Sequence, residues 1–297
     1  MRKIILLLVG ILLVIELSLR LLGNIYWLAY TAKPNRNDKD KVRILCIGES
    51  TTFGVGGGIS DDYPSQLGQI LDAKYPNKFS VYNRGVPGIT SSLILLNLKR
   101  FLAETNPNLV ILLCASNDSS YRLNVTNSLL ILKDKNNFIS TVFFKLSHIL
   151  WNFRIYKLLG LLNDHISYRF REFCGAYINV GRDFESTDYR YYKVFEGKDA
   201  ELRREQYAFN IRKITRYIRS KGAEIIYTTY LHSTTLDLIK EVSRENDVIL
   251  CNQVEMLNNK NIPLASILSG DGFHPNAKGY NLMALFLLKT LEDNDFI

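Results

Sequence analysis

Cysteine is scarce in this chain of 297 residues. Three of the four cysteines stand inside apolar runs that predict buried strands, where cysteine behaves as a small hydrophobic residue; the four are Cys46, Cys114, Cys174 and Cys251. No two of them form a CxxC pair, and none stands with histidine at the spacing of metal ligands. The sequence therefore argues against a zinc site, and it does not support a disulfide framework.

A dense basic stripe is also missing. Basic residues outnumber acidic ones by 37 to 29, which gives a formal net charge of +8, but they are spread thinly along the chain. The longest clusters, Arg203-Arg204 and Arg212-Lys213, fall on one predicted solvated helix face. A surface that binds nucleic acid needs denser positive charge with stacking aromatic residues, so no nucleic-acid partner is expected. The charge favours weak attraction to an anionic membrane surface.

Long apolar runs are few, and the clearest, Ile4 to Ile15, lies at the N-terminus. By itself it suits a cleaved signal peptide, which is one alternative. Extended through Leu22 it reaches the roughly 20 residues that a bilayer requires, and Glu16 and Arg20 are spaced to pair on one helix face. No A-x-A cleavage motif follows, whereas aromatic residues typical of a membrane interface do. We therefore expect residues 1–30 to form a retained transmembrane anchor, with the following domain outside the cytoplasm.

The polar residues 31–41 predict a linker. Beyond them, short apolar runs predict five strands: Val42–Ile47, Phe79–Tyr82, Leu109–Cys114, Glu224–Thr229 and Val248–Cys251. Amphipathic runs between them predict helices: Tyr63–Tyr75, Ser91–Glu104, Glu201–Arg219, Thr235–Glu245 and Asn276–Leu291. Buried strands that alternate with helices predict an α/β fold with a parallel sheet covered on both faces. Residues 42–297 are therefore expected to form a three-layer α/β/α sandwich with flavodoxin-like strand order.

An excess segment of about residues 119–200 separates the third and fourth strands and is too long for a plain loop. It is rich in aromatic residues and contains an amphipathic stretch near Val142–Leu162. We expect either a helical cap beside a functional site or an interaction surface.

Ligands of a doubly wound sheet bind at the carboxyl ends of its strands. Four short segments lie at such positions or just before the last helix: Gly48-Glu49-Ser50, Asn83-Arg84-Gly85-Val86-Pro87-Gly88, Ala115-Ser116-Asn117-Asp118 and Asp271-Gly272-Phe273-His274-Pro275. The residues after Ser50 lack the Gly-Lys-Ser/Thr of a phosphate-binding loop. No glycine stands two residues after Ser50, as a nucleophile elbow requires. The segments must therefore be interpreted together.

Together they supply the groups that acyl transfer requires. Ser50 needs a neighbouring base to take its proton, and His274 can be that base. Asp271, three residues earlier, can accept the other imidazole N–H and hold the tautomer. Backbone N–H groups of Ser50 and Gly85, with the side-chain amide of Asn117, are candidate donors to an oxyanion. Each residue alone could serve a turn or a helix cap, but their joint placement favours catalysis.

These segments resemble the sequence blocks of SGNH hydrolases, the GDSL-like serine esterases and acylhydrolases, here of a membrane-anchored bacterial type. The resemblance extends from about Val42 to the C-terminus. The first block is Gly-Glu-Ser rather than the more common Gly-Asp-Ser, and Ala115 replaces a glycine of the third. The resemblance implies acyl transfer from oxygen without metal or cofactor, with Ser50, Asp271 and His274 as catalytic residues and Ser50, Gly85 and Asn117 as the oxyanion hole.

The expected function is a serine esterase that removes acetyl or other short O-acyl groups from a cell-surface carbohydrate or lipid. An O-acyltransferase that acylates a glycan would use the same residues, and an inactive binding module is a third interpretation. His232, which follows the fourth strand, is a candidate for substrate contact. His148 and His165 are more typical of surface or packing positions.

Overall fold

The computed structural model describes residues 2–30, 38, 40–119, 153–155, 158, 200–232 and 235–297. The chain divides into two compact units, one of residues 1–31 with 127–188 and one of residues 32–126 with 189–297. Helix α1, Arg2–Tyr30, belongs to the first unit. Most of the predicted insertion lies outside the described residues, so its role stays a prediction.

The predicted N-terminal transmembrane helix is not supported. Residues 2–30 are helical, but no helix within the described residues is long and apolar enough to cross a membrane. The apolar run is interrupted by the predicted ion pair, in which Arg20 Nε donates to Glu16 Oε1 at 2.7 Å. Glu16 Oε2 also accepts the N–H of Ile155 at 3.0 Å, so this carboxylate is held by protein groups. Charged side chains inside such a run raise its free energy in hydrocarbon.

Five strands of the second unit form one parallel sheet in the order β2-β1-β3-β4-β5. This order confirms the predicted flavodoxin-like topology. The strand bounds are β1 Val42–Gly48, β2 Phe79–Gly85, β3 Leu109–Leu113, β4 Glu224–Thr228 and β5 Ile249–Cys251. Each strand pairs in parallel register with its neighbour, because helical crossovers return the chain to the same end of the sheet.

Helices cover both faces of the sheet. Their bounds are α2 Ser50–Phe53, α3 Tyr63–Lys74, α4 Ser91–Thr105, α5 Ser116–Ser119, α6 Ala200–Arg219, α7 Leu236–Glu245, α8 Gln253–Asn258 and α9 Ala277–Asp293, with a 3₁₀ turn at Leu264–Ser266. α3 packs on α9 and β2, whereas α4 packs on α6 and β1, and α7 packs on α6 and β5. The predicted three-layer sandwich is therefore present.

The core lies on both faces of the central strands β1 and β3. Ile44, Leu45 and Ile47 of β1 are fully buried, and every residue of β3 is buried. Burying one such aliphatic side chain contributes about 1.5–3 kcal/mol to folding. Three described cysteines, Cys46, Cys114 and Cys251, are buried free thiols of this core. The packed sheet holds the carboxyl ends of its strands in fixed positions.

Candidate active site

The carboxyl end of β1 carries the first candidate residue. The pairing continues one residue past β2, where Val86 N donates to O of Gly48, the last residue of β1, at 2.9 Å. Ser50 then begins the single-turn helix α2. Asn83 Nδ2 donates to Thr52 O at 2.7 Å, which fastens α2 to the end of β2. Ser50 is thus held at the sheet edge, where parallel sheets bind ligands.

Ser50, His274 and Asp271 form a continuous hydrogen-bonded chain. His274 Nε2 lies 2.8 Å from Ser50 Oγ, and His274 Nδ1 lies 2.5 Å from Asp271 Oδ2. The His274 side chain is 17% exposed and that of Asp271 is 45% exposed. The two imidazole nitrogens therefore bridge a hydroxyl and a carboxylate, which is the geometry of an activated serine nucleophile.

Asp271 accepts several hydrogen bonds besides that of the imidazole. Its Oδ1 accepts the backbone N–H groups of Phe273 and His274, both at 2.9 Å, and the hydroxyl of Ser269 at 2.7 Å. Partial burial acts to raise the pKa of Asp271, but the His274 ring and these donors outweigh it and lower the pKa to about 2. The carboxylate therefore stays ionised and orients the histidine.

The loop that carries Asp271 and His274 is closed by its own backbone. Ser269 N donates to His274 O at 2.7 Å, and Gly272 N donates to Ser269 O at 2.9 Å. Asn276 then caps helix α9, since its side chain accepts the N–H groups of the first turn. This closed turn explains how a pair three residues apart can point at the end of β1.

Gly85 does not occupy the predicted oxyanion position. Its N–H donates to Asn83 Oδ1 at 2.7 Å, so the amide is already bound to a protein acceptor. A Cβ at this residue would overlap the backbone of Thr52 and Phe53 in α2. Glycine is needed here because helix α2 approaches closely, rather than because substrate does.

Gly88, three residues further along the same loop, has the properties expected of Gly85. It adopts a left-handed conformation with φ 74°, and a Cβ there would meet no atom within 4 Å. Within the described part of the chain its N–H donates to no protein acceptor. The backbone around Gly88 is therefore open to a ligand.

Asn117 lies in α5, at the end of β3. Its Nδ2 donates to Ile89 O at 2.9 Å, which uses one of the two N–H donors of the amide and ties it to the residue after Gly88. The next residue, Asp118, accepts the N–H and the hydroxyl of Ser91 at 2.9 and 2.6 Å. Burial raises the pKa of Asp118 to about 6. These bonds fix α5 against the start of α4.

Glu49, directly before Ser50, is a buried residue whose side chain sequence reasoning did not assign. Its Oε1 accepts the N–H of Ala115 at 3.0 Å and that of Asn117 at 3.2 Å, and Oε2 accepts the hydroxyl of Tyr230 at 2.7 Å. Burial, followed by the charge of Asp118, raises the pKa of Glu49 to about 8. Glu49 therefore joins the ends of β1, β3 and β4.

His232 does not present its ring as an open substrate contact. It is 6% exposed, stacks on Tyr230 with ring centres 5.1 Å apart, and packs against Phe273 at 4.6 Å. Burial, followed by the neighbouring His274, lowers the pKa of His232 to about 4, so its ring is neutral. His148 and His165 lie outside the described residues.

The predicted catalytic residues thus meet at one edge of the sheet, whereas Gly88, Glu49 and Tyr230 were missed. Gly88 was visible in the sequence as a second glycine three residues after Gly85, but its φ angle depends on the tertiary structure. Glu49 and Tyr230 had no local signal, because their partners are far along the chain. Among the described residues, no group of three His, Cys, Asp or Glu side chains is arranged to hold a metal.

Comparisons with known proteins assign the chain to a family. Residues 44–287 match the family model described as GDSL-like Lipase/Acylhydrolase. A comparison with curated proteins finds no match.

Several solved structures are similar to this chain at low sequence identity. The lipase/acylhydrolase from Enterococcus faecalis is 14% identical over 85% of this chain and 96% of its own, with a TM-score of 0.50. A putative lipolytic protein of the G-D-S-L family from Desulfitobacterium hafniense is 15% identical over 84% and 100%, with a TM-score of 0.49. A mutant of an acetylxylan esterase from Geobacillus stearothermophilus is 15% identical over 84% and 93%, with a TM-score of 0.47. The family model covers most of the chain, and this protein therefore belongs to the GDSL-like lipase/acylhydrolase family of ester-bond hydrolases.

Proposed function

We propose that this hydrolase is a serine esterase that works through an acyl-enzyme on Ser50. The observation that carries the proposal is the chain of short contacts from Ser50 Oγ to His274 Nε2 and from His274 Nδ1 to Asp271. A serine hydroxyl is a weak nucleophile until a base accepts its proton. Here the base is in hydrogen-bonding contact with it before any substrate binds.

In the acylation step, Ser50 Oγ attacks the ester carbonyl carbon and His274 Nε2 takes the hydroxyl proton. The imidazolium that forms is stabilised by the ionised Asp271 at Nδ1. The tetrahedral intermediate collapses when the bond to the alcohol oxygen breaks, and His274 donates its proton to that oxygen. Water then attacks the acyl-enzyme with the same histidine as base, which releases the acid and restores Ser50.

The oxyanion of the tetrahedral intermediate requires donors at the strand ends. We assign this role to the N–H of Ser50, the N–H of Gly88 and the side-chain amide of Asn117. Ser50 is the first residue of α2, so its N–H has no partner within that helix. The bond from Asn117 to Ile89 supports the assignment, because it joins the amide to the loop of Gly88. In this assignment, Gly88 takes the place in the oxyanion hole that was predicted for Gly85.

The substrate class that we propose is an acetyl or other short O-acyl ester on a cell-surface carbohydrate or lipid. The support is the positive net charge and the aliphatic side chains that helix α1 exposes, among them Leu6, Leu13 and Leu17. Both features favour contact with an anionic, lipid-rich surface. The extracytoplasmic location stays a prediction, which protease accessibility on intact cells would test.

The first test is hydrolysis of p-nitrophenyl acetate and butyrate by the full chain and its Ser50→Ala variant. We expect the variant to lose at least about a thousandfold in kcat. Ser220→Ala is the matched control, since it removes a serine hydroxyl that donates to Tyr217 O at the end of α6. Full activity in Ser50→Ala would refute the mechanism. Adding a glycan acceptor then separates the alternatives, because an O-acyltransferase would form acylated glycan faster than free acid.

A further inference from the structure

Tyr230 connects the segment that carries Asn117 with the segment that carries His274, although it belongs to neither segment. It follows β4 and is 2% exposed. Its hydroxyl and its ring contact different groups, and each leads towards a different part of the catalytic machinery.

The hydroxyl of Tyr230 supports helix α5, which carries Asn117. Tyr230 Oη donates to Glu49 Oε2 at 2.7 Å and accepts the N–H of Ser116 at 3.3 Å. Glu49 in turn accepts the N–H of Asn117. Burial raises the pKa of Tyr230 well above its ordinary value. The hydroxyl therefore stays protonated and donates a hydrogen bond to the carboxyl group of Glu49. The buried hydroxyl of Tyr230 thus holds Glu49, the residue before Ser50, against helix α5, which carries Asn117.

The ring end supports the loop of His274. Tyr230 and His232 stack with an angle of 11° between their planes. His232 packs on Phe273, whose ring meets His274 edge to face with centres 5.1 Å apart. Displacement of Phe273 would tilt the imidazole, which must stay aligned with both Ser50 and Asp271. Proton transfer is sensitive to such changes in position.

We propose that Tyr230 is a positioning residue for ester hydrolysis, holding the backbone of Asn117, and with it the side-chain amide, through Glu49 and the imidazole of His274 through His232 and Phe273. The inference rests on the proposed function. It assigns no contact between Tyr230 and substrate, so its loss should lower kcat while KM stays nearly constant.

The chain offers a matched control three residues earlier, near the end of β4. Tyr227 is also buried, and its hydroxyl lies 2.5 Å from Thr215 Oγ1 of α6, which belongs to no part of the site. Tyr227→Phe and Tyr230→Phe therefore each remove one buried phenol hydroxyl bonded to a side chain. If Tyr230 only stabilised the fold, the two variants should have similar kcat values.

The experiment measures kcat and KM for p-nitrophenyl acetate, and the free energy of unfolding, in the full chain. Tyr230→Phe should lower kcat about tenfold and change KM less than twofold, whereas Tyr227→Phe should keep kcat at any stability. His232→Ala should lower kcat similarly, and His232→Phe, which keeps a flat ring, should restore most of it. Equal kcat in Tyr230→Phe and Tyr227→Phe would overturn the proposal.

Two further measurements keep the outcomes distinct. If Tyr230→Phe fails to fold by circular dichroism, the comparison of His232→Ala with His232→Phe decides, and unchanged kcat in His232→Ala overturns the proposal. The rate at which paraoxon phosphorylates Ser50, with release of p-nitrophenolate, must fall in parallel with kcat. Activity that Ser50→Ala abolishes but Tyr230→Phe leaves intact would refute this inference alone, whereas activity that survives Ser50→Ala would refute the proposed function as well.

Discussion

Ser50 and His274 are 224 residues apart in the chain, yet Ser50 Oγ and His274 Nε2 lie 2.8 Å apart. The contact forms because β1 lies inside the sheet and the loop before α9 returns to its carboxyl end. Residues 269–276 form a turn closed by backbone hydrogen bonds, which fixes the direction of the imidazole. In the proposed mechanism, the reactivity of Ser50 therefore depends on how accurately this distant turn is placed.

Replacing Asp271 with Asn should lower kcat by about three to four orders of magnitude, since the amide favours the wrong imidazole tautomer and cannot stabilise the imidazolium. The kcat of ester hydrolysis measures this effect. Ser269→Ala is the control, because it removes one donor to Asp271 and leaves the carboxylate in contact with His274. Its kcat should fall less than about tenfold. Similar losses in the two variants would contradict the assigned role of Asp271.

Replacing Asn117 with Ala should lower kcat by about a hundredfold to a thousandfold, as expected for the loss of one oxyanion donor. Steady-state kinetics with p-nitrophenyl butyrate would check it. Asn281→Ala is a suitable control, since its amide donates to Gln66 on the outer surface at 2.7 Å. An Asn117→Ala variant as active as Asn281→Ala would remove Asn117 from the oxyanion hole.

Alanine at Gly85 should lower the free energy of unfolding more than alanine at Gly88. Gly85→Ala places a Cβ against the α2 backbone and should lower the free energy of unfolding by about 1–3 kcal/mol or more. Gly88→Ala meets no neighbour, so its cost is the left-handed φ, about 1–2 kcal/mol. Chemical denaturation measures both values. Equal destabilisation would show that α2 moves away from Gly85 at little cost.

The stabilities of the wild type and Glu49→Gln should diverge with pH. Glu49 has a pKa of about 8 in the folded chain, against an ordinary 4.5. Below pH 4.5 both states are protonated; above it the unfolded chain ionises first, so the wild type loses stability as the pH rises towards 8. The slope reaches about 1.4 kcal/mol per pH unit at most. Denaturation of both proteins at several pH values tests this, and parallel pH profiles for the wild type and Glu49→Gln would contradict it.

Strand prediction succeeded where the local pattern and the tertiary environment agree. The apolar runs at 42–47 and 109–114 became β1 and β3 because both faces of these strands are buried. The short helices α2 and α5 were not predicted, since four residues carry no helical period. The N-terminal run correctly predicted a helix, but the predicted membrane span is not supported, since no helix in the described part of the chain is long and apolar enough to cross a bilayer.

The sequence alone predicted Ser50, Asp271, His274 and Asn117 as candidate site residues, since residue type and position at strand ends and before the last helix indicate their chemistry. It predicted Gly85 as the glycine donor and did not consider Gly88, because the difference between them depends on a φ angle and on the approach of α2. Nor could it show that Glu49 and Tyr230, 181 residues apart, share a hydrogen bond. Chemistry follows from which side chains are present, whereas the alignment of donors, base and nucleophile is decided by packing between segments that are distant in the chain.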